Sequence, residues 1–129
     1  MQVGDSILAT LFHQGELVRI NKYNYKVDVL LSGLSCPHGI RAYKQGQWSI
    51  ADTKNNRVLL LDENFKIFDV VQSNFDWVQD HCHTLKNTIL VADANNSKVV
   101  EICPITKEVI SQFQYSNDWR IYQVSLLLG

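Results

Sequence analysis

The side chains best suited to chemistry are histidines, and two of them lie one residue apart. The chain reads Asp80-His81-Cys82-His83, and a further histidine lies in Pro37-His38-Gly39. If His81 and His83 belong to a β-strand, the period-two alternation of strands places both imidazoles on one face. Two imidazoles on one face form half of a nitrogen site for a divalent metal. We therefore consider His38, His81 and His83 candidate metal ligands, although no carboxylate motif at a recognisable spacing completes the site.

The remaining candidates are polar side chains suited to ligand binding. Arg41 and Arg120 would suit an anionic group, because a guanidinium offers a planar fork of donors. The predicted ligand-binding residues are His38, Arg41, Tyr43, Gln79, His81, His83, Arg120 and Tyr122. Cys36 and Cys82 lack an orienting third group at a recognisable spacing, and the common nucleotide, hydrolase and zinc-ribbon motifs are absent. We predict no catalytic residue and no cofactor apart from the candidate metal, and a protein without enzyme activity is favoured.

An internal repeat with a period of roughly 40 residues positions these side chains. Residues 50–62 match residues 91–103 without a gap, and residues 9–21 keep the same apolar pattern more weakly. The pair Asp76-Trp77 recurs one period later as Asp118-Trp119. Within each unit, short apolar stretches rich in strand formers are separated by turn residues that tolerate positive φ. No segment keeps a helical period, so the sequence predicts strands throughout.

Strands of about five residues, joined by turns within such a period, are typical of β-propeller blades. We therefore predict an all-β fold, half a β-propeller made of three four-stranded antiparallel blades. Blade 1 is predicted at about 1–34, blade 2 at about 35–75, blade 3 at about 76–116 and a closing strand at about 118–128. The apolar run from Val58 to Leu61 suits a strand in the middle of a blade, covered on both faces by neighbouring blades.

Two segments carry a resemblance to a known family. Pro37-His38-Gly39-Ile40, followed by the stretch from Trp48 to Val58, resembles an NHL-type repeat of six-bladed propellers. Residues 79–81 and 88–99 are also similar to blades of arylsulfotransferase-like propellers. The resemblance implies the propeller fold, and some NHL-type propeller lyases hold a metal on axial histidines, a role that would fall to His38. Blade 1 lacks the Ala-Asp pair and blade 3 lacks the Pro-His-Gly start.

Three blades cannot close a ring alone, because closed propellers have at least four. Residues 1–10 are predicted to enter directly at the second strand of blade 1, so that blade lacks its innermost strand. Residues 119–127 align one period after Trp77–Leu85 and are predicted to form an innermost strand with no blade behind it. The simplest closure is a homodimer in which this strand completes the first blade of a second copy. The alternative is a chain that is part of a longer propeller.

Composition restricts the partners. The 129 residues carry a net charge of −1 and no basic cluster, which disfavours nucleic acid. No apolar run is long enough for a transmembrane helix, so no membrane partner is predicted. Three irregularly spaced cysteines and a start without a basic or apolar leader predict a cytoplasmic protein.

We therefore expect a non-enzymatic propeller module that forms a six-bladed ring as a homodimer and binds a small molecule or protein at the axial pocket. One alternative is a metal-dependent propeller enzyme, lyase- or hydrolase-like, with axial histidines. The other is a fragment of a larger sulfotransferase-like propeller.

Overall fold

Three four-stranded antiparallel sheets follow one another along the chain in a computed structural model that describes residues 1–127. Each sheet keeps its strands in chain order, so neighbouring strands are joined by hairpins. The first sheet contains β1 (Gln2–Val3), β2 (Ser6–Leu11), β3 (Glu16–Asn21) and β4 (Val27–Leu31). The second contains β5 (His38–Ala42), β6 (Trp48–Asp52), β7 (Arg57–Leu61) and β8 (Ile67–Gln72). The third contains β9 (Val78–His83), β10 (Ile89–Asp93), β11 (Lys98–Ile102) and β12 (Val109–Gln114). The prediction of an all-β fold with three four-stranded antiparallel blades is confirmed.

The turns in the middle of blades 2 and 3 repeat one another closely. Each contains a single 3₁₀ turn, Thr53–Asn55 in blade 2 and Ala94–Asn96 in blade 3. The residue after each turn is left-handed, with φ of 58° at Asn56 and 54° at Ser97. Positive φ at these positions agrees with the turn residues that the sequence supplies.

Two buried carboxylates fix the entry to blades 2 and 3. Asp52 accepts hydrogen bonds from the Ser35 backbone N–H at 2.8 Å and from the Asn55 and Arg57 side chains. Asp93 similarly accepts the Asp76 backbone N–H at 2.7 Å. Neither backbone partner lies within the hairpin of its carboxylate. Their backbone partners lie 17 residues earlier, so each carboxylate ties the second strand of a blade to the segment that leads into the first.

In the described residues the core contains two large apolar clusters, one between each pair of adjacent blades, and a smaller one between blade 3 and the segment that follows it. On β7, Val58 and Leu60 belong to the cluster with blade 3, whereas Leu59 and Leu61 belong to the cluster with blade 1. All four are at most 2% exposed. Burial of such a side chain stabilises the fold by about 1.5–3 kcal/mol. The run from Val58 to Leu61, in which apolar residues do not alternate with polar ones, is therefore covered on both faces, as predicted.

Blade 1 differs from the prediction at its inner edge. Residues 1–10 do not enter directly at the second strand, because Gln2 and Val3 form the separate strand β1, which pairs with Ile7 and Ser6 of β2. Met1 extends this pairing by exchanging two backbone hydrogen bonds with Leu8. β1 could not be predicted from the sequence, because a strand of two residues is too short to show an alternation of apolar and polar residues. Blade 1 thus has four strands, the innermost of them only two residues long.

Residues 119–127 form no strand in the single chain, and residue 128 of the predicted closing strand lies outside the described residues. The segment instead lies against blade 3. Val124 is buried beside Cys82 and Ala92, and Ile121 packs against the same cluster. Its place next to blade 3 suits the innermost strand of a further blade.

Gly15 is the glycine on which the first hairpin depends most. Its φ is +68°, and a Cβ built there would lie 2.1 Å from the carbonyl oxygen of Leu34. Gly33 also has a positive φ, +78°, but a Cβ there would meet nothing within 4 Å. We expect Gly15→Ala to lower the free energy of unfolding by about 1–3 kcal/mol more than Gly33→Ala, because only the first adds overpacking to backbone strain. Urea denaturation of both variants measures this, and equal losses would contradict it.

Candidate functional site

The two histidines of β9 meet at one hydroxyl group of the neighbouring blade. The Nε2 atom of His81 lies 2.6 Å from Oγ of Ser49, and Nε2 of His83 lies 2.7 Å from the same oxygen. Ser49 lies on β6 of blade 2 and is fully buried, as is His81. Both imidazoles therefore lie on the face of β9 that packs against blade 2, as strand alternation predicts for residues two apart.

Proton counting restricts the tautomers of the two histidines. A serine hydroxyl has one proton to donate and can accept others. If Ser49 donates to Nε2 of one ring, that ring carries its proton on Nδ1, and the other ring donates its Nε2–H to Ser49. Among the described residues, neither Nδ1 atom has a hydrogen-bond partner, although both atoms are buried. The cluster thus holds one unpaired donor and one unpaired acceptor.

Both rings are held neutral. Burial, with smaller contributions from the neighbouring His83 and Arg41, lowers the pKa of His81 from 6.5 to about 3. Burial also lowers the pKa of His83 to about 4, with a smaller contribution from Arg41. A protonated ring here would lose hydration and lie beside another positive charge, so the neutral form persists over a wide pH range.

Arg41 links the inner strands of blades 2 and 3. Its Nη2 donates to Oδ1 of Asp80 at 2.8 Å, and its Nε donates to the backbone oxygen of His81 at 3.2 Å. The second oxygen of Asp80 accepts the backbone N–H of Val124 at 3.1 Å. Asp80 is 5% exposed, so these hydrogen bonds replace the water that its carboxylate loses on burial. The carboxylate joins blade 2, blade 3 and the segment that follows blade 3.

Tyr43 completes this polar cluster. Its ring stacks on that of His83 with a centroid separation of 4.6 Å, and the ammonium of Lys44 lies 5.4 Å from the Tyr43 centroid. Tyr43 and His83 are both half-buried. They are the most accessible aromatic part of the cluster.

His38 lies apart from the other two histidines. Its Nδ1 atom is 2.8 Å from Oγ1 of Thr53, and its ring meets that of Phe12 edge to face. Within residues 1–127, no three or more His, Cys, Asp or Glu side chains form a group that could hold a metal ion. The structure thus does not bring His38, His81 and His83 together, and the metal centre stays a prediction.

Three further predicted site residues also lie elsewhere. Gln79 accepts a hydrogen bond from Nε1 of Trp77 at 2.8 Å. Arg120 donates to the backbone oxygen of Asn117, and Tyr122 is 72% exposed. Of the eight predicted residues, the structure brings together Arg41, Tyr43, His81 and His83.

Two central residues, Ser49 and Asp80, are missing from the predicted set. Ser49 interrupts an apolar strand, and the repeat places Leu90 at the corresponding position of blade 3. The sequence could have indicated Ser49 in one way, since it is polar at a position that is apolar in another unit of the repeat. Asp80 directly precedes the two histidines, but only the fold shows that its carboxylate meets Arg41, 39 residues away.

Cys82 is unsuited to act as a nucleophile. Its side chain is buried in the cluster with Ala92 and Val124. Burial raises the pKa of the Cys82 thiol, and the Asp80 charge raises it further. The thiolate, which is the reactive form, is therefore disfavoured.

No protein-family model matches the chain, and no curated protein matches its sequence. Solved structures do match its fold. Virginiamycin B lyase from Staphylococcus aureus superposes with a TM-score of 0.68 at 14% identity, over 85% of this chain and 38% of the lyase chain. A nidogen/laminin complex gives a TM-score of 0.72 at 12% identity, over 92% of this chain and 46% of the other. Kuenenia stuttgartiensis hydrazine synthase gives 0.71 at 12% identity, over 92% and 35%.

These matches concern the fold alone, since identities of 12–14% carry no activity. The chain spans less than half the length of these solved structures. The narrower resemblance to NHL-type or arylsulfotransferase-like blades is not confirmed by them. In the described part of the chain, no helix has the length and apolar character needed to cross a membrane. Residues 2–114 form three successive blades of a β-propeller.

Proposed function

We propose that the chain is a propeller module that pairs with a second copy to form a six-bladed ring, and that the ring binds a small molecule or protein at its inner strands. The observation that carries this proposal is the apolar character of the open face of blade 1. Strand pairing places Ile7, Ile20 and Val27 in one row on that face. The next row contains Ala9, Val18 and Val29.

This face has no neighbouring blade in the single chain. Val27 and Val29 are 53% and 54% exposed and Ile7 is 37% exposed, whereas Val18 in the middle of the face is only 1% exposed. A contiguous aliphatic face on the outside of a sheet marks a surface that packs against another element. In a propeller, that element is the adjacent blade.

The opposite end of the chain offers a matching surface. Ala92, Val99 and Phe113 form a row across the open face of blade 3. The segment 119–127 covers the inner part of this face, whereas Phe113 stays 51% exposed. A cavity of about 430 Å³ beside Leu90, Phe113 and Leu126 is also open to a partner. Blade 1 of one copy against blade 3 of another, repeated by two-fold symmetry, closes a ring of six.

The ring is tested by mass in solution. We expect light scattering to give a particle near twice 14.8 kDa for the wild-type chain. Val29→Glu should shift this particle to the monomer, because it places a charge in the contact between blades 1 and 3. Ile67→Glu is the matched control, since Ile67 is 43% exposed on the outermost strand of blade 2 and faces no open blade surface. A monomeric wild-type chain, or a dimer that survives Val29→Glu, would overturn the proposal.

The proposed ligand surface is the polar cluster of Arg41, Tyr43, His81 and His83. Arg41 is already paired with Asp80, so its guanidinium is not free to bind a strongly anionic ligand. The half-buried Tyr43–His83 stack favours a ligand with a flat or aromatic part instead. The three free cysteines agree with a cytoplasmic location, which is also part of this proposal.

A further inference from the structure

The inner edge of β2 is only partly covered. β1 pairs along β2 as far as Ser6 and Ile7, and Met1 adds one further pair at Leu8. Both the N–H and the C=O of Leu8 bond to Met1. Strand geometry directs the N–H and C=O of Thr10, two residues on, to the same edge.

A groove continues from this edge. A cavity of about 440 Å³ lies beyond β1, lined by Met1, by Ile7, Leu8, Ala9 and Thr10 of β2 and by Gly39, Ile40 and Arg41 of β5. In blades 2 and 3 the corresponding edge is fully paired, by β5 of five residues and by β9 of six. The groove is therefore the space that a full-length innermost strand would fill.

The segment 119–127 has the placement of such a strand. It packs against blade 3 as β9 packs against blade 2. On β9, Val78 and His81 are fully buried. On the segment, the buried Val124 and the partly buried Ile121 show the same spacing in the chain. Within the described residues, the backbone N–H and C=O of Gln123 make no hydrogen bond, so they are available for pairing.

This match determines the register. If Val124 is the counterpart of His81, these two residues are one position further apart in the sequence than the two Asp-Trp pairs are. A shift of one residue exchanges the two faces of a strand, so the choice matters. On blade 3, His81 lies opposite Val91 and Asp80 opposite Ala92. Ala9 and Thr10 occupy in blade 1 the positions that Val91 and Ala92 occupy in blade 3.

We propose that residues 121–126 of a second copy pair with β2, with Val124 opposite Ala9 and Gln123 opposite Thr10, and that they displace β1. This inference rests on the proposed ring. Little opposes the displacement, because β1 pairs only two residues and Met1 and Val3 are 45% and 41% exposed. The incoming segment adds a complete edge of backbone hydrogen bonds, which is recognition by strand addition.

Cysteine cross-linking tests the register. We expect the double variant Thr10→Cys/Gln123→Cys to form a disulfide between two chains under mild oxidation, since directly opposed residues lie within disulfide reach. On a non-reducing gel, the band should move from one chain to two. The control is Thr10→Cys/Tyr122→Cys. Its two cysteines lie opposite each other only in the alternative register, the one that follows from the spacing of the two Asp-Trp pairs. The single Thr10→Cys variant shows the background from Cys36, Cys82 and Cys103.

The outcomes separate the two proposals. Preferential cross-linking of the Tyr122 variant would overturn the register and leave the ring intact. The same conclusion would follow if neither variant cross-links in a particle of doubled mass. A particle of single mass with no cross-link would overturn both the register and the ring.

Discussion

Replacing Asp52 with alanine is expected to lower the free energy of unfolding by about 2–4 kcal/mol, because it removes a buried carboxylate that accepts several hydrogen bonds. Asp52 is fully buried and accepts the Arg57 Nε–H at 2.8 Å. It also accepts the backbone N–H of Ser35 and the side-chain amide of Asn55. The substitution leaves these donors without an acceptor and detaches the entry of blade 2 from its second strand.

Chemical denaturation of the wild type and two variants measures this effect. Asp28→Ala is the control, because Asp28 pairs with Arg19 at 3.5 Å while both side chains are more than 40% exposed. An exposed pair of this kind contributes at most about 1 kcal/mol. If Asp52→Ala costs no more than Asp28→Ala, the carboxylate does not hold the entry of blade 2.

Acid is expected to destabilise the fold through His81. In the unfolded chain the imidazole takes up a proton as the pH falls below about 6.5, whereas in the folded chain the pKa is about 3. Between these pH values the unfolded state binds more protons than the folded state. The contribution of His81 to the free energy of unfolding is therefore fully present above pH 6.5 and is lost as the pH falls. For His81 this amounts to about 3 kcal/mol between pH 7 and pH 4. His83, whose pKa is about 4, acts in the same direction but is less buried.

The contribution is isolated by comparison with His81→Ile. Isoleucine is the natural choice, because Ile40 of β5 lies opposite Ile50 as His81 lies opposite Val91. Urea denaturation at pH 7 and pH 4 gives the loss for each protein, and the carboxylates common to both cancel in the difference. The variant should lose about 3 kcal/mol less than the wild type over this range. Equal losses would show that His81 takes up its proton in the folded state.

The blades could be predicted from the sequence because the repeat and the strand pattern agree. The apolar run at Val58–Leu61 predicted a strand covered on both faces, and its residues alternate between the two core clusters. The two-residue strand β1 could not be predicted, since two residues have no period. The backbone partner of Asp52 could not be predicted either, because it depends on how the chain returns between blades.

The site could be predicted only where strand alternation holds. His81 and His83 follow the bulge of β9 between Val78 and Asp80, so alternation places them correctly. His38 precedes a register shift at Gly39, whose φ is +54°. A bulge changes the direction of the residues before it, so the sequence spacing of His38 says little about its neighbours. Ser49, which both imidazoles reach, lies 32 and 34 residues from them.

The short strand β1 also has a consequence for the timing of assembly. It covers the exposed edge of β2 in the single chain and so limits unwanted pairing between sheets. In the exchange proposed above, a partner strand can pair along this edge only after β1 has left it. The rate of assembly would then stop rising with protein concentration once release of β1, a step within one chain, becomes slower than encounter.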